Sequence, residues 1–148
     1  MGNRYVVQWN NITPAALTAP TLISPAGRRI RVLAVTAGGN GSSSAPQAIV
    51  MSRSATGTTP AGAIVPTPEE HSEQPAATFT TALTWATAPA GGTNGEQFIW
   101  NALGGAFRYT TTQKITPMEA RNGEVISFKA PTGVTPQPMS MSVLVEED

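Results

Sequence analysis

The sequence predicts an all-β fold: an antiparallel two-sheet β-sandwich, jelly-roll-like, with about eight strands in one domain over residues 1–148. Three observations predict it. Apolar and polar residues alternate in short runs. Those runs are separated by clusters of Gly, Pro, Asn and Ser, with 14 Gly and 13 Pro in the chain. Only 12% of residues are charged, too few of the long charged side chains from which surface helices are made. A chain of this length buries roughly 68–70% of its unfolded surface, which suffices for one core.

The first predicted strand is Arg4 to Trp9, where Tyr5, Val7 and Trp9 share a face. A stretch marked by Pro20, Pro25 and Gly27 follows. Arg28 to Thr36 then alternates Ile30, Val32 and Ala34 against Arg29, Arg31, Leu33 and Val35, and its second half is apolar on both faces, as in an inner strand whose basic end reaches solvent. Gly38 to Gly41 form a turn into a strand at Gln47 to Arg53. Ala63 to Val65, hemmed in by Pro60, Pro66 and Pro68, reads as an edge strand or a loop. Further strands are read at Ala77 to Trp85, Gln97 to Asn101, Phe107 to Thr112, Glu124 to Ala130 and Met139 to Glu146. One helical turn is expected at Thr116 to Arg121, because Thr116, Pro117 and Glu119 match a capping box with proline at the first helical position and Gly123 as the stop.

There is no cysteine, so a disulfide framework and a thiolate metal site are both excluded. No run of about 18 apolar residues is present and the chain opens directly into alternating sequence, so no membrane span, export signal or membrane partner is expected, and cytosolic assembly fits best. The triplets Asn11-Ile12-Thr13 and Asn40-Gly41-Ser42 match the glycosylation pattern but lack a secretory context.

Net charge is zero yet uneven: residues 1–68 hold five arginines and no acid, whereas residues 69–148 hold all nine acids and four bases. Either the halves interleave and the charges cancel in space, or they serve head-to-tail self-association or docking on an acidic partner. Nucleic acid is not an expected partner for a chain with so little phosphate-neutralising surface.

Catalysis needs a base and a group to orient it, and this chain has one His and one Asp, the latter at position 148. The nucleophile elbow, phosphate loop, dinucleotide fingerprint and zinc helix motif are all absent from the sequence. Glu69-Glu70-His71-Ser72-Glu73 is the one dense polar cluster, and it reads as a solvated loop, since neighbouring side chains in extended chain diverge. No catalytic residue, metal or cofactor is therefore expected. Trp9, Trp85, Trp100, Tyr5, Tyr109, Phe79 and Phe107 either form a sugar-stacking platform or fill the space between sheets. The candidate partner-binding residues are Arg28, Arg29 and Arg31, at the start of one strand, with Tyr5 and Trp9 on another. The acidic run Glu146-Glu147-Asp148 offers a matching charge elsewhere.

The run from Gln74 to Trp85, then Ala86-Thr87-Ala88-Pro89, the turn at Gly123-Glu124 and the closing amphipathic strand ending in Glu146-Glu147 resemble a family of small β-sandwich virion proteins of tailed bacteriophages, of the capsid cement or decoration type. The similarity covers roughly residues 65–148. It implies a jelly-roll-like sandwich that forms homotrimers, assembles in the host cytoplasm and sits in the virion as cement between copies of the major capsid protein. The alternative is a carbohydrate-binding β-sandwich module of a tail or hydrolase, with an enzyme a distant third.

Overall fold

The computed structural model describes residues 2–110 and 117–148, apart from the side chains of residues 106 and 107. The described chain is all-β, with no helix, in two antiparallel sheets packed as a sandwich. Twelve strands run in order: β1 (Asn3–Ile12), β2 (Thr18–Ile23), β3 (Arg29–Gly39), β4 (Pro46–Ser54), β5 (Thr58–Ala61), β6 (Thr67–Pro68), β7 (Thr80–Thr87), β8 (Thr93–Asn101), β9 (Ala106–Thr110), β10 (Glu119–Arg121), β11 (Val125–Lys129) and β12 (Met139–Glu147).

The first sheet has the order β10-β3-β12-β1-β6, with β9 on the same edge of β3 as β10; the second has β5-β7-β2-β11-β4-β8. Four nested antiparallel partnerships explain this: β1 with β12, β2 with β11, β3 with β9 and β10, and β4 with β8. That is one long hairpin wrapped across two sheets, the jelly-roll connectivity. Eight strand positions become twelve because the sixth is split into β9 and β10, and because the segment between β4 and β8 inserts β5, β6 and β7. The insertion extends both sheets, β6 pairing with β1 and β7 with β2.

Alternation directs the core. Tyr5, Val7 and Trp9 on β1, Leu22 on β2, Ile30, Val32 and Val35 on β3, Ile49 and Met51 on β4, Ile126 and Phe128 on β11, and the Met139, Met141, Val143, Val145 row on β12 meet in one buried cluster with Phe79 and Phe98. Tyr5 and Phe79 pack edge to face at 5.7 Å. The phase of β3 changes partway. Its register on β12 steps from Val32–Val145 to Ala34–Leu144, a bulge that turns Val35 and Ala37 inward in place of the strictly alternating Ala34. This bulge is the cause of the two-sided apolar pattern in the sequence.

Two expectations need correction and one open alternative is decided. Glu119–Arg121 form strand, not a helical turn: they pair with Arg31–Arg29, because a neighbouring sheet edge offers more backbone bonds than an isolated turn can make. Thr116 of that expected turn, like Thr111 and Thr112 of the expected seventh strand, lies outside the described residues. Thr18–Ile23 is a central strand that the prolines conceal; Pro20 falls in the irregularity of its pairing with β7, and its pairing with β11 begins only at Thr21. Finally, Ala63 to Val65 takes the loop alternative, and β6 lies two residues further on.

The outer face of the second sheet is covered by its own chain. Beyond Leu83, β7 carries Trp85 onto a small cluster with Ala82, Val125 and Ile23, and the indole N–H of Trp85 donates to Thr21 Oγ1 at 3.3 Å. Residues 88–92 continue over that face to β8, and Lys129 Nζ donates to the carbonyl of Pro89 at 2.7 Å. Gly92, at φ +86°, lies so close to the backbone of Arg53 and Ser54 that no side chain fits there. This covering buries the hydroxyl row Thr21, Ser127 and Ser52, which crosses β2, β11 and β4.

The insertion is fastened by buried polar groups. Tyr5 donates its hydroxyl to the carbonyl of Pro75 at 2.8 Å. The Glu147 carboxylate accepts the backbone N–H groups of Thr78 (3.1 Å) and Phe79 (3.0 Å) and the Thr78 hydroxyl, which holds the start of β7 against the end of β12. Glu147→Ala leaves these donors unpaired and is expected to destabilise the fold by about 2–4 kcal/mol. Urea denaturation checks this, and an unchanged midpoint would show that the carboxylate does not anchor the insertion.

Candidate functional site

The structure separates the sequence-derived candidate residues into two groups. Tyr5 and Trp9 are 1% and 0% exposed and belong to the core, so neither is a partner contact of the folded chain. The reason is the pairing of β1: flanked by β12 and β6, it turns Tyr5, Val7 and Trp9 into the sandwich, where aromatic burial outweighs any surface role. Phe79, Trp85 and Phe98 are buried as well, and Phe98 packs on Tyr109 at 5.2 Å. Of the aromatic residues weighed as a stacking platform, Tyr5, Trp9, Phe79 and Trp85 thus fill space between and over the sheets.

Arg28, Arg29 and Arg31 do lie at the surface, but two of them face acids of the same chain. The outer face of the first sheet carries a cross-strand row, Arg4 on β1, Glu146 on β12, Arg31 on β3 and Glu119 on β10, in which charge alternates from strand to strand. Arg31 reaches Glu146 at 2.8 Å, Asp148 at 2.9 Å and Glu119 at 3.6 Å. Arg29 binds Asp148 through both Nε and Nη2 and lies 3.7 Å from Glu119. Arg121 meets Glu119 at 2.6 Å. The acidic run is therefore used up internally: Glu146 and Asp148 on arginines, Glu147 on backbone N–H groups. Part of the charge of the two halves of the sequence cancels in space because the jelly roll lays residues 119–121 and 146–148 beside residues 29–31.

Arg28 is the exception. It is exposed, its side chain makes no ion pair with a described residue, and it lines an open cleft of about 330 Å³ with Gly27, Arg29, Arg121, Asn122 and Asp148. The turns that shape this cleft place Gly27 at φ +72° and Asn122 at φ +53°, and Gly27 donates its N–H to the Asn122 side chain.

Other concave regions lie apart from this one. A shallow trough on the outer face of the first sheet is lined by Gln8, Asn10, Thr36, Ser140 and Ser142. A more enclosed cleft at the far end of the second sheet is lined almost wholly by alanine and proline with Lys129. Sequence reasoning missed this second cleft, since its walls come from three separate segments of unremarkable composition. Glu69, Glu70, His71, Ser72 and Glu73 are all exposed, and no cluster of three or more metal-ligating residues occurs among the described residues.

Compared with known proteins, the chain matches no family model, no curated protein and no solved structure.

The Asp148 carboxyl is held below its ordinary 3.8, chiefly by the hydrogen bond from Arg29 and then by the charge of Arg31, and the Arg29 guanidinium is raised in step. A carboxyl depressed in the folded state contributes stability that is whole above 3.8 and is lost as pH falls through its folded value. Wild type is therefore expected to exceed Asp148→Asn in melting temperature by a constant margin at neutral pH, with the margin closing only in strong acid and shrinking with salt. Thermal melts of both proteins across acid pH check this; a margin that vanished between pH 7 and 5 would contradict the assignment.

Proposed function

We propose that the chain is a structural virion subunit, a cement or decoration protein that associates with itself as a trimer and binds the major capsid protein of a phage head, without enzymatic chemistry. The observation that carries this reading is a pair of exposed aliphatic side chains on and just beyond β8, Ile99 and Leu103. Among the described residues β8 pairs with β4 and ends the second sheet. Ile99 is 69% exposed and Leu103 57%. Two of the other edges are blunted by brevity and proline, β5 having four residues with Pro60 and β6 two with Pro68. β8 has neither proline nor lysine and carries Glu96 as its one charge. Exposed aliphatic side chains at the end of a sheet suit an association surface, and several copies bound together make weak single contacts to a shell sufficient.

Two further features support the reading. The jelly roll is an architecture of viral shell domains as well as of lectins, an analogy of fold alone. Burial of Tyr5, Trp9, Phe79 and Trp85 takes four of the aromatic residues away from the stacking surface that the sugar-binding alternative would need.

The expected outcome is that Ile99→Lys with Leu103→Lys leaves the melting temperature within a few degrees, since surface changes usually cost under about 0.5 kcal/mol. The same pair should abolish self-association in sedimentation and weaken binding to expanded capsids. Arg28→Ser should reduce capsid binding at low salt only. A wild-type protein that sediments as a monomer and fails to bind capsids at any salt would overturn the proposal.

A further inference from the structure

The enclosed cleft at the far end of the second sheet combines two features that are seldom left together. Its walls, from Ala15, Ala19, Pro89, Pro131 and Val134 among others, are apolar and enclose about 260 Å³. Its one charged side chain is Lys129, which ends β11 and faces away from the core. Ligand sites in proteins have this composition, a concave apolar lining with a few polar groups that fix orientation.

Among the described residues no carboxylate balances Lys129. Its ammonium donates to the Pro89 carbonyl, which satisfies one of three N–H groups, and no ion pair joins it to a described residue. Burial lowers its proton affinity, and no neighbouring charge contributes to that shift. A partly desolvated cation in an apolar cleft gains from an anion that brings its own apolar surface, because such a ligand neutralises the charge and fills the lining together.

We propose that this cleft is a binding site for a small carboxylate with an aliphatic or aromatic body, its carboxylate on Lys129 Nζ and its apolar part against the alanine and proline walls. The volume suits a body of medium-chain length. The site lies apart from the β8 edge and from the arginine cleft, so it is independent of the virion reading. A bound ligand would also touch Ala88 and Pro89, where Lys129 ties down the segment that runs over the hydroxyl row.

The experiment titrates octanoate, octanol and inorganic phosphate into the whole protein, read by calorimetry and by the methyl resonances of Val134. Octanoate is expected to bind saturably, octanol about tenfold more weakly for want of the charge-assisted bond, and phosphate not at all. Lys129→Met should reduce octanoate to the level of octanol. Val134→Trp, a loop change that fills the cleft, should abolish octanoate binding while the protein still melts cooperatively, and it keeps the test decisive if Lys129→Met fails to fold. Absence of octanoate binding, equal binding of octanol, binding of phosphate alone, or indifference to Val134→Trp would each overturn the proposal.

Discussion

The placement of β12 between β1 and β3 is the constraint on which the rest of the structure depends. Its inward row of Met139, Met141, Val143 and Val145 occupies the middle of the core, and its outward Glu146 sits between Arg4 and Arg31. Glu147, one residue further, carries the anchor for the insertion. One strand thus sets the register of the first sheet, supplies its central hydrophobic row and positions the acids that neutralise the basic end of β3. A slip of one residue would turn four buried apolar side chains outward and bring Ser140, Ser142 and Glu146 into the core, so the register is strongly specified.

The electrostatics follow from that arrangement. Side chains at Arg29, Arg31 and Glu119 are about a quarter to a third exposed, and ion pairs in such positions contribute only about 0–1 kcal/mol each. Their main effect is on interactions beyond the chain. A sequence with a basic first half and an acidic second half presents a locally neutral surface at β3, β10 and β12, with the charge of Arg28 left over. Long-range attraction to a strongly acidic partner is correspondingly weak, and contact through apolar side chains and strand edges gains in importance.

Fold class was legible in the sequence because alternation and the Gly and Pro spacing record which side of each strand is buried. β1 and β12 were readable almost residue by residue, since both keep an unbroken period of two over their buried stretch. β2 was not, because its signal is carried by one run broken by Pro20, and β10 was not, because three residues between turn formers look like a helix start until a sheet edge is available. Among candidate site residues, Arg28 could be placed at the surface from sequence. Tyr5 and Trp9 could not be told from surface aromatics until the partners of β1 were known, and the pairing of Arg31 with Glu146 joins residues more than a hundred positions apart. The alanine and proline cleft leaves no trace in sequence, because its identity lies in which loops converge.

The loop from Glu69 to Gln74 has a property that follows from how its ends are tied. Glu69 N–H and the Gln74 side-chain amide both donate to the carbonyl of Arg4, at 3.0 and 2.6 Å, so the two stems of the loop meet on a single oxygen of β1. The four residues between them are exposed. Closing a loop whose stems are already clamped costs little more as the loop lengthens, since the entropy grows only with the logarithm of its length. The molecule therefore has a built-in graft point: a foreign peptide spliced between Glu70 and Glu73 would be displayed outward on a short rigid base, with the core, the charge row and the β8 edge left as they are.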